Sequence, residues 1–498
     1  MKLLLHMKQA ILLIFLFVLG KDFNALAQKK IRTLTLEEAI EISKDQSPDA
    51  LNAKQTFQAS YWDWRSYKAS NLPALGLSGT LPEINQGITA QKYNGNVTYS
   101  SYDYISANAN LALTQTIGVT GGSISMNSGL NGTHNVNGNN ALPFVSVPIN
   151  IEFFQPIFKY NRYRWDRKIM PLKYLQAKRK YIEDIEQVSI TATNYFFNLL
   201  QAQVEKKIAA MNLSNYDTLY RIAKGRYQLG KIAENELLQL ELNFLKAQAA
   251  AETADLDLDN AQFRFKSYLR LKDSTRIVLL PPGNISFFKI DPLKAVDLAK
   301  GNSSASLDFQ RRLLVAASAV NQAKLTGRFD ADLHALIGLT SSGATIPDAY
   351  MKPGDQRQLS IGVSIPIVDW GVAHGRIKMA QSQEDIEKTS VEQENIDFQR
   401  NVYLKVIQFN MQQNQLTIAA KSDTVARKSY EVTKGRYLIG KINDITNLYL
   451  SQIETDNAEK NYYNALQTFW TNYYEIRKLT HYDFRKSEAL KFDPRGLK

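Results

Sequence analysis

Lys224–Ile232 reads KGRYQLGKI, and 210 residues later Lys434–Ile442 reads KGRYLIGKI, with seven of nine positions identical. A match of that length at that distance marks an internal repeat, and a repeat constrains the architecture before any single residue does. At the same offset Pro156-Ile157 falls on Pro366-Ile367 and Lys168 on Lys378, without a gap. Nearer the N-terminus the register changes. LTLEEAIEISKDQS (34–47) matches IDPLKAVDLAKGNS (290–303) at an offset of 256, placing Ala39 on Ala295 and Lys44 on Lys300. The two offsets differ by 46, which locates an insertion of about 46 residues in the first copy, between roughly Pro73 and Pro148. Each copy reads as helix, β-hairpin, helix, tip motif, helix.

Glycine and proline placement sets the helix lengths. From Leu172 to Leu280 there is no proline and the only glycines are Gly225 and Gly230; from Ile367 to Asp493 there is again no proline, and the glycines are Gly371, Gly375, Gly435 and Gly440. The tip motifs thus interrupt two otherwise unbroken helical tracts. A helix running from about 160 to 228 would be a rod of roughly 100 Å at about 1.5 Å per residue. The expected boundaries are a first repeat over 28–280 (helices 34–70, hairpin 72–156 with its insertion about 86–142, long helices 157–229 and 233–271). A second repeat covers 281–480 (helices 291–327, hairpin 329–367, long helices 371–439 and 443–479), and a tail covers 481–498.

Leu237, Leu240, Phe244, Ala247, Ala251, Ala254, Leu258, Ala261, Phe265 and Tyr268 alternate three and four residues apart, the period of a coiled-coil seam. The same stripe in the second copy is polar: Asn447, Leu450, Glu454, Asn457, Asn461, Asn464, Thr468 and Thr471. A solvated outer face and a water-filled lumen both fit it. The strand-like segments instead alternate at period 2 over about ten residues, as in Val145, Val147, Ile149, Ile151, Phe153 and in Leu359, Ile361, Val363, Ile365, Ile367. Ile105 to Leu113 repeats the pattern inside the insertion. The insertion is expected at the extracellular end, with its strand-like part, Ile105 to Leu130, extending the hairpin above a membrane.

Residues 1–27 carry lysines at 2 and 8, an apolar run from Ala10 to Leu19, and Ala25-Leu26-Ala27, the order of a secretory signal cleaved after Ala27. No later segment is continuously apolar over a spanning length, so entry into a membrane would be as strands, and four strands cannot close a barrel without other copies. Aromatics where strand meets helix (Phe154, Phe158, Tyr160, Tyr163, Trp165, Trp370) suit an interfacial girdle. The chain has no cysteine, so it forms no disulfide and carries no lipid-bearing cysteine. Its formal net charge is +12, with basic residues interspersed among acidic ones, which argues for a mixed solvated surface and against nucleic-acid binding.

Five scattered histidines make no metal-ligand spacing, and there is no G-x-S-x-G, phosphate-binding loop or G-x-G-x-x-G. No catalytic, cofactor or metal site is expected, and Thr120-Gly121-Gly122 reads as a turn. A soluble periplasmic coiled-coil scaffold or adaptor is the competing reading, since it would share the helices.

The signal followed by LTLEEAIEIS, FFQPIF and VSIPIV closing the hairpins, and above all GRYQLGKIAENELLQLE and GRYLIGKINDITNLYLS resemble the TolC-type outer-membrane efflux proteins over about 34–480. The resemblance implies an α+β membrane protein of tandem-duplicated helix/β-hairpin/helix units. It implies a homotrimer whose four strands per chain close a twelve-stranded transmembrane β-barrel in lipid, continued by a long periplasmic α-helical barrel. It implies as partners a periplasmic adaptor (membrane fusion protein) and an inner-membrane transporter of RND, ABC or MFS type, in efflux or type I secretion. The tips Arg226, Tyr227, Gly230, Lys231 and Arg436, Tyr437, Gly440, Lys441, Asn443 become the adaptor-docking sites. At the aperture, where family members often carry aspartates past the second tip, this chain has Thr446 and Tyr449, leaving Glu236 and Asp444 as the nearby acids.

Overall fold

The structure, a computed structural model, describes residues 30–93, 96–136, 143–271, 275–283, 287–439 and 445–492. The signal segment 1–27, tip residues Gly440, Lys441, Asn443 and Asp444, and the end of the tail lie outside the described residues. The chain divides into two compact bodies. One comprises the described residues up to Thr56 with Arg179–Ser303 and those from Phe398 onward; the other comprises Phe57–Lys178 and Ser304–Asp397.

The chain begins with β1 (Lys30–Leu34), α1 (Leu36–Gln46) and α2 (Pro48–Ala69), followed by four strands: β2 (Ala74–Tyr93), β3 (Asn96–Ile117), β4 (Gly122–Asn135) and β5 (Phe144–Ile157). Two long helices come next, α3 (Arg162–Gln228) and α4 (Glu234–Tyr268), then β6 (Thr275–Leu279). The second copy supplies α5 (Pro292–Asn302), α6 (Ser304–Thr326), β7 (Asp330–Gly343), the one-turn α7 (Asp348–Met351), β8 (Gly354–Ser364), α8 (Val372–Leu438) and α9 (Ile445–Thr480), with a final two-residue pair, β9 (Tyr482–Asp483) and β10 (Glu488–Ala489).

Local chemistry sets the helix starts. Thr35 accepts from the backbone of Glu38 while Glu38 accepts from the backbone N–H of Thr35, a reciprocal cap spelled T-x-x-E. Asp291 caps α5 ahead of Pro292, whose missing N–H costs nothing at that position. The Asp369 carboxylate accepts from Gly371 and Ala373 at the start of α8, and these backbone bonds hold its pKa below the ordinary aspartate value.

In the first body the core joins α1, α3, α4, α8 and α9 with the parallel pair β1–β6, and Phe196, Phe197, Phe265, Phe409 and Phe469 are its largest fully buried side chains. Leu240, Ala247, Ala254, Leu258, Phe265 and Tyr268, six members of the α4 stripe, are buried. In the second-copy stripe Glu454, Asn457, Asn461, Asn464 and Thr468 are exposed.

The second body holds one antiparallel sheet, in the order β2-β3-β4-β5-β7-β8. This corrects the expectation of four strands per chain, and with it the first hairpin: six strands are present because the insertion supplies β3 and β4. It also corrects the placement of Ile105–Leu130. Ile105–Ile117 is paired on both sides, and the chain returns at Gly118–Gly121 to the end where the helices begin, since Asn161 Nδ2, just ahead of α3, donates to the carbonyls of Gly118 and Val119. Gly121 has φ +83°, the left-handed turn conformation that glycine adopts without strain. The part that outreaches the sheet is instead the upper β2–β3 ribbon, because β4 pairs with β3 only as far as Tyr104.

Candidate functional site

Three features of the described chain are candidates: the helix tips and an internal helix seam in the first body, and the sheet in the second.

The first tip ends α3 with a left-handed cap. Gly230, at φ +65°, donates to the Tyr227 carbonyl at 2.8 Å, and Lys231 donates to the Arg226 carbonyl at 2.9 Å. A Cβ on Gly230 would meet no atom within 4 Å, so the requirement for glycine is conformational rather than steric. Ala233 then precedes α4 without a side-chain cap.

The two copies of the motif do different things. Tyr227 is 40% exposed, whereas Tyr437 is 2% exposed, in a cluster with Tyr216, Leu219, Ala223, Leu240, Tyr430, Ile445 and Leu448. The Arg226 guanidinium lies 5.6 Å from the Tyr437 ring centre, and its Nη2 donates to the Leu438 carbonyl at 3.3 Å. Burial raises the Tyr437 hydroxyl pKa; Arg226 lowers it and Glu236 raises it through space. Tyr437 is therefore withdrawn from the set of docking residues: it is a core residue, and Arg226 braces it. Arg436 and Lys231 are exposed, Glu236 is half-buried, and Tyr449 packs against the same cluster. Burial also pushes the Tyr430 hydroxyl up to about 12; its oxygen accepts from Asn215, which in turn accepts from Lys434 at 2.9 Å.

The seam was not anticipated from the sequence. Along α3 and α9, Asn194 accepts from Gln467 and Thr471, Gln201 donates to Asn464 and Gln467, Glu205 pairs with Lys460 at 2.9 Å, and Asn212 donates to Asp456 at 2.7 Å. As the α3 number rises the α9 number falls, so this is an antiparallel ladder of polar side chains. The signal that could have found it is the seven-residue spacing of Asn194 to Gln201 and of Glu205 to Asn212.

The sheet sorts its side chains by face. Residues paired across antiparallel strands share a face, so one row runs Leu75, Leu113, Met126, Ile151, Ile337 over five strands and ends at Arg357 on β8. A neighbouring row on the same face runs Ile124, Phe153, Ala335, Leu359. The opposite face carries Thr114, Ser125 and Glu152, and also Asn127, Asn150 and Gln356. On this polar face His334 Nε2 and Glu152 Oε1 are 2.7 Å apart and Asn150 Nδ2 donates to Gln356. One apolar face and one polar face, six strands wide, is the composition of a membrane barrel wall. Phe158 and Phe329 pack with tilted rings where this sheet meets its helices, their ring centres 5.0 Å apart, and Trp370 is 94% exposed. Among the described residues no helix is long and apolar enough to cross a membrane, and no cluster of metal-ligating side chains occurs.

Residues 120–269 match the family model described as outer membrane efflux protein. That match covers under a third of the chain. Among solved structures, the Campylobacter jejuni CmeC outer membrane channel is similar at 16% identity and a TM-score of 0.64, over 91% of this chain and 87% of that one. The Vibrio cholerae outer membrane protein VceC is 11% identical at a TM-score of 0.62, over 92% and 97%. The Neisseria gonorrhoeae MtrE outer membrane channel, in its open state, is 13% identical at a TM-score of 0.59, over 92% and 90%. At these identities the likeness is one of fold. No curated protein matches the sequence.

Proposed function

We propose that this chain is an outer membrane efflux protein working as a homotrimeric channel, the outer-membrane component of a tripartite efflux pump or type I secretion system, passing solutes outward from a periplasmic adaptor and an inner-membrane transporter of RND, ABC or MFS type. The observation that carries the trimer is a ladder on α8. Leu404, Met411, Ile418, Val425 and Val432, with Ile439 just past the helix end, recur every seventh residue and are each about half exposed or more, from 49% to 66%. On α4, Leu238, Leu242, Leu245, Leu256 and Phe263 are exposed in the same way, on the side away from the buried stripe. Solvated helices do not keep large apolar residues in register over that length; a coiled-coil partner does. Since the stripes belong to one chain, further copies of that chain are the simplest partners. The scaffold reading accounts for the helices but not for a six-stranded sheet with one largely apolar face.

In this reading Arg226, Tyr227, Lys231, Arg436 and Lys441 form the adaptor-facing surface. Gly230 shapes the first turn, and Gly440 and Asn443 of the second lie outside the described residues. Glu236, Thr446 and Tyr449 line the aperture. The test is Val425→Asp, which replaces an apolar contact worth about 1.5 kcal/mol with a buried charge at each interface. Wild-type protein in mild detergent is expected to migrate as a trimer and to support efflux or secretion in its host. Val425→Asp is expected to migrate as a monomer and support neither. A wild-type protein that stays monomeric in detergent, or a Val425→Asp variant that trimerises normally, would refute the reading.

A further inference from the structure

The sheet has two free edges, β2 and β8. β2 leaves α2 through Asn71–Pro73 and runs away from the helices; β8 runs back toward α8. The edges therefore point in opposite directions, as they must if the first strand of one copy is to pair antiparallel with the last strand of the next. The faces also agree. Leu75 at one edge and Leu359 at the other belong to the apolar face, through unbroken pairing across the intervening strands. β2 is no loose flap: it is paired with β3 from Ala74 to Tyr93 with one irregularity, between Thr80 and Glu83. In lipid an unpaired edge is not tolerated, so both edges need a strand.

We propose that β2 of one copy pairs with β8 of the next, so that the barrel wall holds eighteen strands, six from each of three copies, and not twelve. This rests on the trimeric reading above. With strands about 4.8 Å apart and tilted about 40°, eighteen strands give a backbone-to-backbone diameter of about 36 Å, against about 24 Å for twelve. The inner wall would carry polar side chains such as Asn110, Ser125, Asn127 and Gln358, with Glu83, Asp332 and the Glu152–His334 pair among them. The exit is then a wide, polar mouth, and its width suits bulky cargo that a twelve-stranded mouth would retard.

The natural absence of cysteine makes the test direct. Cysteines at Ser78 on β2 and at Gln358 or Ser360 on β8 are expected to form disulfides between copies, giving covalent trimers on denaturing gels. A control pair, Ser125→Cys on β4 with Ser360→Cys, is expected to give none. Spin labels at Met126→Cys measure the ring independently, with a Cα separation between copies of about 30 Å for eighteen strands and about 20 Å for twelve. The β2–β8 link together with the long distance supports the proposal. A trimer with the short distance overturns it, whichever links form, and leaves the channel reading standing. Failure to form trimers at all overturns both.

Discussion

Arg226→Ala tests whether the two copies of the tip motif are interchangeable. Arg226 sits over the Tyr437 ring at 5.6 Å and donates to the Leu438 carbonyl at 3.3 Å, so it holds the second tip from the first. Truncation removes a cation–π contact worth about 0.5–2 kcal/mol and a long, partly solvated hydrogen bond worth about 0.5 kcal/mol. A combined loss of about 1–2 kcal/mol raises the local opening equilibrium by roughly 5- to 30-fold. Amide hydrogen exchange over peptides covering 430–439 and 445–452 should accelerate by that factor in Arg226→Ala, while exchange in the core around Phe196 and Phe469 stays unchanged. Arg226→Lys should fall between, because it keeps a cation but loses the planar group that lies on the ring. Arg436→Ala removes an exposed side chain and should leave exchange over 222–229 at the wild-type rate. Unchanged exchange in Arg226→Ala, or equal acceleration by both variants, would refute the brace and return the motif to two equivalent turns.

Arg477 lies between Glu186 and Asp483, at 3.0 and 3.2 Å, and all three are largely buried. Arg477→Ala should cost about 3–5 kcal/mol by stranding two carboxylates, seen as a lower denaturation midpoint, and adding Glu186→Leu should recover part of it. Asp456 has its pKa raised by burial, against the opposing hydrogen bonds from Asn212 and Gln452. The folded state therefore holds the proton more tightly than the unfolded chain, and stability should fall as pH rises from the ordinary aspartate value of 3.8 through the raised one. Asp456→Asn should flatten that segment of the stability–pH curve, and a curve identical to wild type would count against the shift. Finally, a membrane-impermeant maleimide on intact cells should label Thr89→Cys in the upper β2–β3 ribbon and not Val119→Cys in the helix-side turn; the reverse pattern would invert the topology.

Features carried by residue order within one element could be read directly. The duplication is plain from KGRY-x-x-GKI, and the family resemblance follows from it. The α4 stripe from Leu237 to Tyr268 announces a buried seam because a helix brings every third or fourth residue to one face, wherever the rest of the chain lies. The same holds for Ile149 to Phe153, but a bulge between Ser146 and Ile149 turns Val145 and Val147 to the other face, which the alternation alone does not reveal. The α8 ladder from Leu404 to Ile439 was equally available in the order of residues, but its meaning depends on whether the stripe is covered within the chain, and that required the packed structure.

What the linear chain could not decide was which segments meet. Period 2 is identical in a strand that tops a hairpin and in one that crosses a wall, so the insertion's alternation left the place of β3 and β4 open. The sheet order settled it, through pairings between residues as far apart as Phe144 and Gly343. Tyr227 and Tyr437 occupy the same position of the same motif, yet one is 40% exposed and the other 2%. The polar seam is likewise made by partners about 250–280 residues apart, such as Gln201 with Asn464 and Asn194 with Thr471. Side-chain period is a property of a segment and its own backbone; burial, strand order and polar pairing are properties of two segments at once, and only the folded chain specifies the second.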